Sequence, residues 1–391
     1  MNKFYTFKVI IIILIISYIL PLNPMEKKPY HHIYKNGKLV GFRNLPGVPT
    51  WGKKKWPWRK FSEEKKKINT NVPSNYYFKK TEVLENLEKV KNEDYIMWLG
   101  HNSWLLSINK TTILFDPVLG KKIGPMSLIG PTRYLEAALS VAELPKIDVI
   151  IISHNHFDHT DYFTLKKIES KKDIEVIVPL RLGNFFKKLG YSKITELDWE
   201  KSKTIKDITI TSQIAIHWSK RSLFSANDTL WCSYLLESNG KKIWLGGDSG
   251  YIKNIFDDIG KKVGEISLAV IGIGAYNFTA LGFEKTLMHT SPEEALALGK
   301  SINAKKIIGS HFLGFEKTLM HTSPEEALAL GKSINAKKIV ASHFLSFVLS
   351  LEPVLEPAKR FKENAESFGY SKEDAIIFKI GEIRELSKIL K

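Results

Sequence analysis

Cysteine is almost absent from this chain: Cys232 is the single one in 391 residues. No intrachain disulfide can form, which fits a reducing compartment without excluding export. Cys232 lies in Leu230-Trp231-Cys232-Ser233-Tyr234-Leu235-Leu236, a strand-like run, and reads as a small core residue. Long apolar runs are equally scarce. Val9 to Leu20 is broken by Ser17 and Tyr18 and bounded by Lys3, Lys8 and Pro21; it is shorter than the ~20 residues of a comfortable membrane span. No Ala-x-Ala-like cleavage site follows, so an uncleaved signal anchor over 1–23 is preferred to a cleaved leader. Lys27, Lys28, Lys35 and Lys38 beyond the run rival the charge before it and leave its orientation open. Acidic residues are outnumbered, 41 against 58 Lys plus Arg, giving a net charge of +17. That balance suits anionic partners such as a phospholipid surface or nucleic acid, or simply a solvated basic surface.

Residues 24–90 are rich in Lys, Pro, Trp and Gly, with Trp51, Trp56 and Trp58 set among Lys53, Lys54, Lys55, Arg59 and Lys60. Such an extended arm suits a membrane interface or wraps its own domain. Within it His31 and His32 read as solvated, and Thr81 as the cap of a short helix over Glu82 to Val90. From residue 91 to 391 strand signals alternate with helical ones. Tyr95 to Leu99, Ser103 to Ile108 and Thr112 to Phe115 form a meander, in whose first turn His101 reads as a structural hydrogen-bonding residue. Strands at Val149 to Ile152, Ile174 to Val178, Ile208 to Thr211, Cys232 to Leu236, Ile243 to Leu245 and Leu268 to Ile271 follow. Helices near Thr164 to Ser170 and Leu182 to Leu189 are interleaved with them, giving an α/β layered domain.

The chemistry concentrates in Ser153-His154-Asn155-His156-Phe157-Asp158-His159, directly after the β-branched run Val149 to Ile152. A strand covered on both faces must turn where the polar run starts, so these side chains stand at a sheet's rim. His154 and His156 can point the same way off extended backbone, while Asp158 and His159 can reach a second ion. Imidazole and carboxylate sets of this kind suit zinc, with iron or manganese as alternatives. His217 after Ile214-Ala215-Ile216 and Asp248 after Ile243-Trp244-Leu245-Gly246-Gly247 repeat the pattern of a ligand-type residue at a strand end.

A near-perfect tandem repeat, 281–312 and 313–344, follows: Leu281 to Ile307 is identical to Leu313 to Ile339. Each copy encodes a helix and then a strand, with Ser291 or Ser323 as N-cap, Pro292 or Pro324 at the first turn, and Glu294 or Glu326 closing a capping box. Two copies are too few for a solenoid. A fold needing one such unit loops the other out, and the undisturbed connection after His343 favours docking of the second copy. His343, or its twin His311, then ends a strand in the manner of His217.

His-x-His-x-Asp-His after an apolar strand resembles the signature of the metallo-β-lactamase superfamily. Trp98 to Val118, Gly130-Pro131 with Arg133, Glu196-Leu197-Asp198-Trp199, His217-Trp218-Ser219 and Gly247-Asp248-Ser249-Gly250-Tyr251 are similar to its N-acylphosphatidylethanolamine-hydrolysing phospholipase D branch, over roughly residues 95 to 355. The resemblance implies a four-layer αβ/βα sandwich with the site at one edge of the paired sheets. It also implies two Zn2+, or other divalent ions: His154, His156 and His217 on one, Asp158, His159 and His343 (or His311) on the other, and Asp248 bridging. The chain departs from the branch in its duplication and in Met288-His289 or Met320-His321, where members often carry Gln-His.

The expected activity is metal-dependent hydrolysis of a phosphodiester, with phospholipid as first-choice substrate. Asp158 and Asp248 would serve the catalytic centre, and His289 or His321 the leaving group. The hydrophobic start and the tryptophan-bearing arm suit membrane association, or export, and a lipid presented at a membrane surface. Hydrolysis of a lactone, sugar phosphate or nucleic acid is the alternative, although no nucleic-acid module is apparent. A catalytically silent membrane protein is the other. The sequence leaves the oligomeric state open.

Overall fold

A computed structural model describes residues 28–48, 57–66, 70, 72, 74–125, 130–222, 224–272, 288–290, 294, 297–298, 301–304, 307–310, 339–341, 346–347 and 375–389. The apolar run Val9 to Leu20 and Trp51 and Trp56 of the arm lie outside them. No helix among the described residues is long and apolar enough to cross a membrane.

Two mixed sheets face each other. The first has the order β17 (Ile383–Glu385), β3 (Tyr95–Gly100), β4 (Ser103–Ile108), β5 (Thr111–Phe115), β6 (Val149–Ile151), β7 (Glu175–Pro179), β8 (Lys193–Leu197). Its meander half is antiparallel, and β5 to β8 run parallel. The second has the order β16 (Ala375–Ile377), β15 (Ile339–Ala341), β14 (Ile307–Ser310), β13 (Leu268–Gly272), β12 (Lys241–Leu245), β11 (Ser233–Ser238), β10 (Ile208–Gln213), β9 (Ser202–Ile205). It too is half antiparallel, up to β12, and half parallel from there on.

Alternation along the strands explains the layering. Ile243 and Leu245 of β12 and Leu268 and Val270 of β13 join Ile150, Val176 and Ile96 of the opposite sheet in one core. Trp244, Ala269 and Ile271 face the other way and are covered by Phe256 and Ile259 of the helix Lys253–Val263. On the far side, Leu165 of the helix Tyr162–Lys167 and Phe186 of the helix Gly183–Lys188 close the first sheet. The result is the four-layer sandwich, each fully buried Leu, Ile or Phe side chain contributing ~1.5–3 kcal/mol.

Both repeat copies contribute a strand. β14 comes from the first and β15 from the second, paired in parallel with Ile307 opposite Ile339 and Ile308 opposite Val340. Neither strand is looped out, contrary to the expectation from sequence: β15 is inserted between β14 and β16 and pairs in parallel with both, so each neighbour keeps a hydrogen-bonded ladder. Helix boundaries differ in detail. The helix near residue 82 spans Lys80–Lys89, with Lys79 rather than Thr81 at its N-cap and the Lys79 amide donating to Glu82 Oε2 at 2.8 Å.

Of the arm, β1 (His32–Lys35) and β2 (Lys38–Phe42) form an antiparallel hairpin. Phe42 is fully buried in the main core, and its amide donates to Asn227 O at 2.9 Å. His31 and His32, expected in solvent, are only 8 and 9 % exposed. The hairpin is therefore part of the packed body. Phe42→Ala should cost ~3–5 kcal/mol, read as a lowered urea midpoint; an unchanged midpoint would show that the hairpin adds nothing to the core.

Candidate metal centre

Strand ends from both sheets deliver the cluster to one rim. Past β6, Ile152 N still donates to Ile177 O at 3.0 Å, and the loop 153–159 then leaves the sheet. Thr160 Oγ1 closes that loop on His154 O at 2.6 Å, and Arg221 Nη1 donates to Asn155 O at 2.9 Å and Thr160 O at 2.8 Å. Asp161 caps the helix behind it, accepting from the Phe163 and Thr164 amides at 3.2 Å. From the other sheet come His217, beyond β10, and Asp248, beyond β12. Gly247 is required at that last turn: its φ is +59°, and a Cβ there would stand 2.5 Å from Ser153 Cβ.

The distances define two lobes sharing one carboxylate. His156 Nδ1 lies 2.8 Å from His154 Nε2 and 3.2 Å from His217 Nε2. Asp158 Oδ2 lies 3.2 Å from His101 Nε2 and 3.7 Å from His159 Nε2. Asp248 Oδ2 stands 3.1 Å from His159 Nε2, 3.8 Å from His217 Nε2, 3.9 Å from His154 Nε2 and 3.8 Å from His289 Nδ1. The structure thus brings together His154, His156, Asp158, His159, His217, Asp248 and His289; His311, His321 and His343 lie outside the described residues. The first-copy segment 288–290 sits beside the centre, Thr290 Oγ1 donating to Gly272 O at the end of β13.

Whether these residues fit a cation follows from their outer hydrogen bonds. His217 Nδ1 meets Met288 O at 2.8 Å; a carbonyl only accepts, so Nδ1 carries the proton and a neutral ring leaves Nε2 as a lone pair. Ser153 Oγ donates to Asp116 Oδ2 at 2.6 Å and therefore accepts from His154 Nδ1 at 2.9 Å, which bares His154 Nε2 likewise. Both lone pairs face His156 Nδ1, which has at most one hydrogen to give, while His156 Nε2 is buried without a hydrogen-bond partner. Burial holds His154 and His217 well below the usual imidazole range, and burial takes His156 down to about 4. Three neutral rings with converging nitrogens are a preformed nest for a divalent cation.

The other lobe demands positive charge. Burial opposes ionisation of His159, yet Asp248, Asp158 and Asp116 together hold its pKa well above the ordinary value. Burial likewise opposes Asp158, but His159 and His101 outweigh it and keep the carboxylate ionised. A metal ion would supply that charge in place of the His159 proton.

Asp116 is the main residue that sequence reasoning passed over. Fully buried, it accepts from Ser153 N at 2.7 Å, Ser153 Oγ at 2.6 Å, His159 Nδ1 at 2.8 Å and Asn102 Nδ2 at 3.2 Å. Burial pushes its pKa up, against the pull of His159 and Ser153; four converging donors identify it as an acceptor all the same. Its only signal was a carboxylate at the end of an apolar strand before proline. His101 was read as structural, and its backbone does play that part: His101 N donates to Ser346 Oγ at 2.9 Å. Its ring, however, belongs to the centre. Asn44, in the arm, brackets His217, donating from Nδ2 to His217 O at 3.0 Å and accepting from His217 N at 3.3 Å.

Residues 111–312 match the family described as the beta-lactamase superfamily domain. The chain is 30% identical over 305 residues to N-acyl-phosphatidylethanolamine-hydrolyzing phospholipase D 1 of Caenorhabditis elegans, covering 71% of this chain and 81% of that protein. It is 36% identical over 203 residues to an uncharacterized protein of Mycobacterium tuberculosis, 51% of this chain and 53% of the relative, so it spans about half the length of that protein. A possible metal-dependent hydrolase from Veillonella parvula shares the fold, with a TM-score of 0.52 and 16% identity over 75% of this chain and 99% of that one. The chain belongs to the metallo-β-lactamase superfamily and, within it, to the N-acylphosphatidylethanolamine-hydrolysing phospholipase D-like branch.

Two outcomes test the centre. Asp116→Asn should weaken divalent-metal binding ~10–100-fold, the usual effect of losing a partner behind a metal ligand, in a chelator competition titration; unchanged affinity would remove Asp116 from the centre. Gly247→Ala should lower metal content while β-sheet circular dichroism persists, because the strained turn displaces Asp248.

Proposed function

We propose that this protein is a binuclear zinc hydrolase that cleaves a phosphodiester of phospholipid. The reading rests on the tied outer nitrogens of His154 and His217, which leave two lone pairs aimed at a third imidazole, beside a carboxylate-rich lobe calling for a second positive charge. The name of the nematode relative and the net charge of +17 support the choice of an anionic lipid. Bound divalent ions would supply Lewis acidity and bring the pKa of water toward 7.

The chain's own groups have distinct tasks in this reading. Asp248, between the lobes, orients the attacking water. The water gives a proton to Asp248 as its oxygen bonds to phosphorus, the P–O bond to the leaving alcohol breaks, and the leaving oxygen takes a proton from His289, whose side chain is 16 % exposed. Asp158 and His159 hold the second ion, together with His311 or His343. Since β14 of the first copy pairs directly with β13, His311, next in sequence after Ser310, is the ligand we favour. The apolar run Val9 to Leu20 and the tryptophan-bearing arm would bring the enzyme to the lipid surface.

His156→Ala with Asp158→Ala should abolish both bound zinc and hydrolysis of N-acylphosphatidylethanolamine in mixed vesicles. Activity persisting without metal would refute the mechanism, and turnover of an oligonucleotide or lactone in place of lipid would refute the substrate. His311→Ala should lose about one equivalent of zinc and His343→Ala none; the reverse pattern would assign the ligand to the second copy.

A further inference from the structure

Among the described residues, one other group of ligand-type side chains converges outside the rim centre. His31 Nε2 lies 2.6 Å from Asp198 Oδ1, and His32 Nε2 lies 2.9 Å from Asp198 Oδ2, all three donor atoms falling within 4.8 Å of one another. The two imidazoles come from the start of the arm hairpin. Asp198 follows β8 in the domain, 167 positions away from His31.

A hydrogen-bonded latch would satisfy part of this arrangement but not all of it. His31 Nε2 is in line with its carboxylate oxygen and forms a hydrogen bond. His32 Nε2, buried and 2.9 Å from the other oxygen, is out of line with it for a well-formed hydrogen bond. Its opposite nitrogen, Nδ1, meets Tyr34 Oη at 3.2 Å. This is how a metal-ligating histidine is held: the outer nitrogen tied, the inner one left to coordinate. The surroundings fix both rings. His31 stacks on Trp199 with centroids 4.2 Å apart, His32 stands edge-on to Phe42 at 5.4 Å, and the Trp199 amide donates to Asp198 Oδ1 at 2.8 Å.

We infer that His31, His32 and Asp198 form an additional cation site, separate from the catalytic centre, which fastens the N-terminal hairpin to the domain. Two imidazoles and a carboxylate select a borderline transition metal such as Zn2+ over Mg2+ or Ca2+. Donor atoms around tetrahedral zinc, bonded at ~2.0–2.1 Å, stand roughly 3.3 Å apart, so each contact opens by under ~1 Å to admit the ion. Asp198, whose side chain is 18 % exposed, gives the way in and leaves a fourth position for water. The hairpin leads on to Asn44, which brackets the backbone of His217. Fastening it therefore steadies one wall of the catalytic centre.

The experiment is zinc stoichiometry of the full chain by plasma mass spectrometry after Zn2+ loading and desalting. Asp198→Asn, and separately His32→Asn, should each lower the content by one equivalent. The same decrement should appear in a His154→Ala/His156→Ala background, so the result does not depend on the catalytic reading. Equal zinc content with and without these substitutions would overturn the site. Circular dichroism checks folding. Should a variant unfold, the unsubstituted protein decides: Zn2+ should slow diethyl pyrocarbonate labelling of the His31–His32 peptide at least fivefold, and equal labelling rates would overturn the proposal.

Discussion

The structure depends on a set of imidazoles whose outer nitrogens are already committed. Met288 O fixes His217, Ser153 fixes His154, and Asp116 fixes His159, so each ring presents its inner nitrogen toward Asp248 or His156. None of these orientations is stable in isolation, since neutral rings with facing lone pairs repel and a buried carboxylate needs compensating charge. The sandwich overcomes this by tying these three rings from behind. Two sheets must close on a common rim for the outer acceptors to reach, which is why the packing of Ile150 and Val176 against Val270 and Leu245 matters to a cluster none of them touches.

The same logic explains the loops. A turn carrying several buried polar groups survives only if its backbone is bonded, and Arg221 and Thr160 meet that need by holding the carbonyls of the 153–160 segment. Arg221 also lies over the Phe157 ring at 4.3 Å, covering the apolar member of the motif. Its burial lowers the guanidinium pKa to about 10, which still leaves it charged at neutral pH.

Much of this was legible in the sequence where local pattern and tertiary role coincide. The β-branched run before His154, the glycines before Asp248 and the meander from Tyr95 onward all read correctly because burial on both faces and tight turns leave compositional marks. Short edge strands such as β1, β2, β9 and β17 left none, being mostly polar or only three to five residues long. Asp116 and Asn44 were missed for another reason: each acts through a residue far away in sequence, and a single Asp or Asn carries no periodicity. Thr81 misled because Thr is a common cap, whereas the contact made here is between the Lys79 amide and Glu82. His31 and His32 misled because a lysine-rich context suggests solvent, while the adjoining Tyr34 and Phe42 anchor them.

The paired strands β14 and β15 carry one further implication. With Leu281 to Ile307 and Leu313 to Ile339 identical, the sheet holds two similar rungs, which differ at Ile308/Val340 and Gly309/Ala341. Excising one rung would join β13 to β16 through a single intermediate of similar sequence. Such redundancy frees one copy from structural duty, and mutations gathering there would be filtered only by its closeness to the rim, so the duplication is raw material for altering the mouth of the centre without disturbing the frame that supports it.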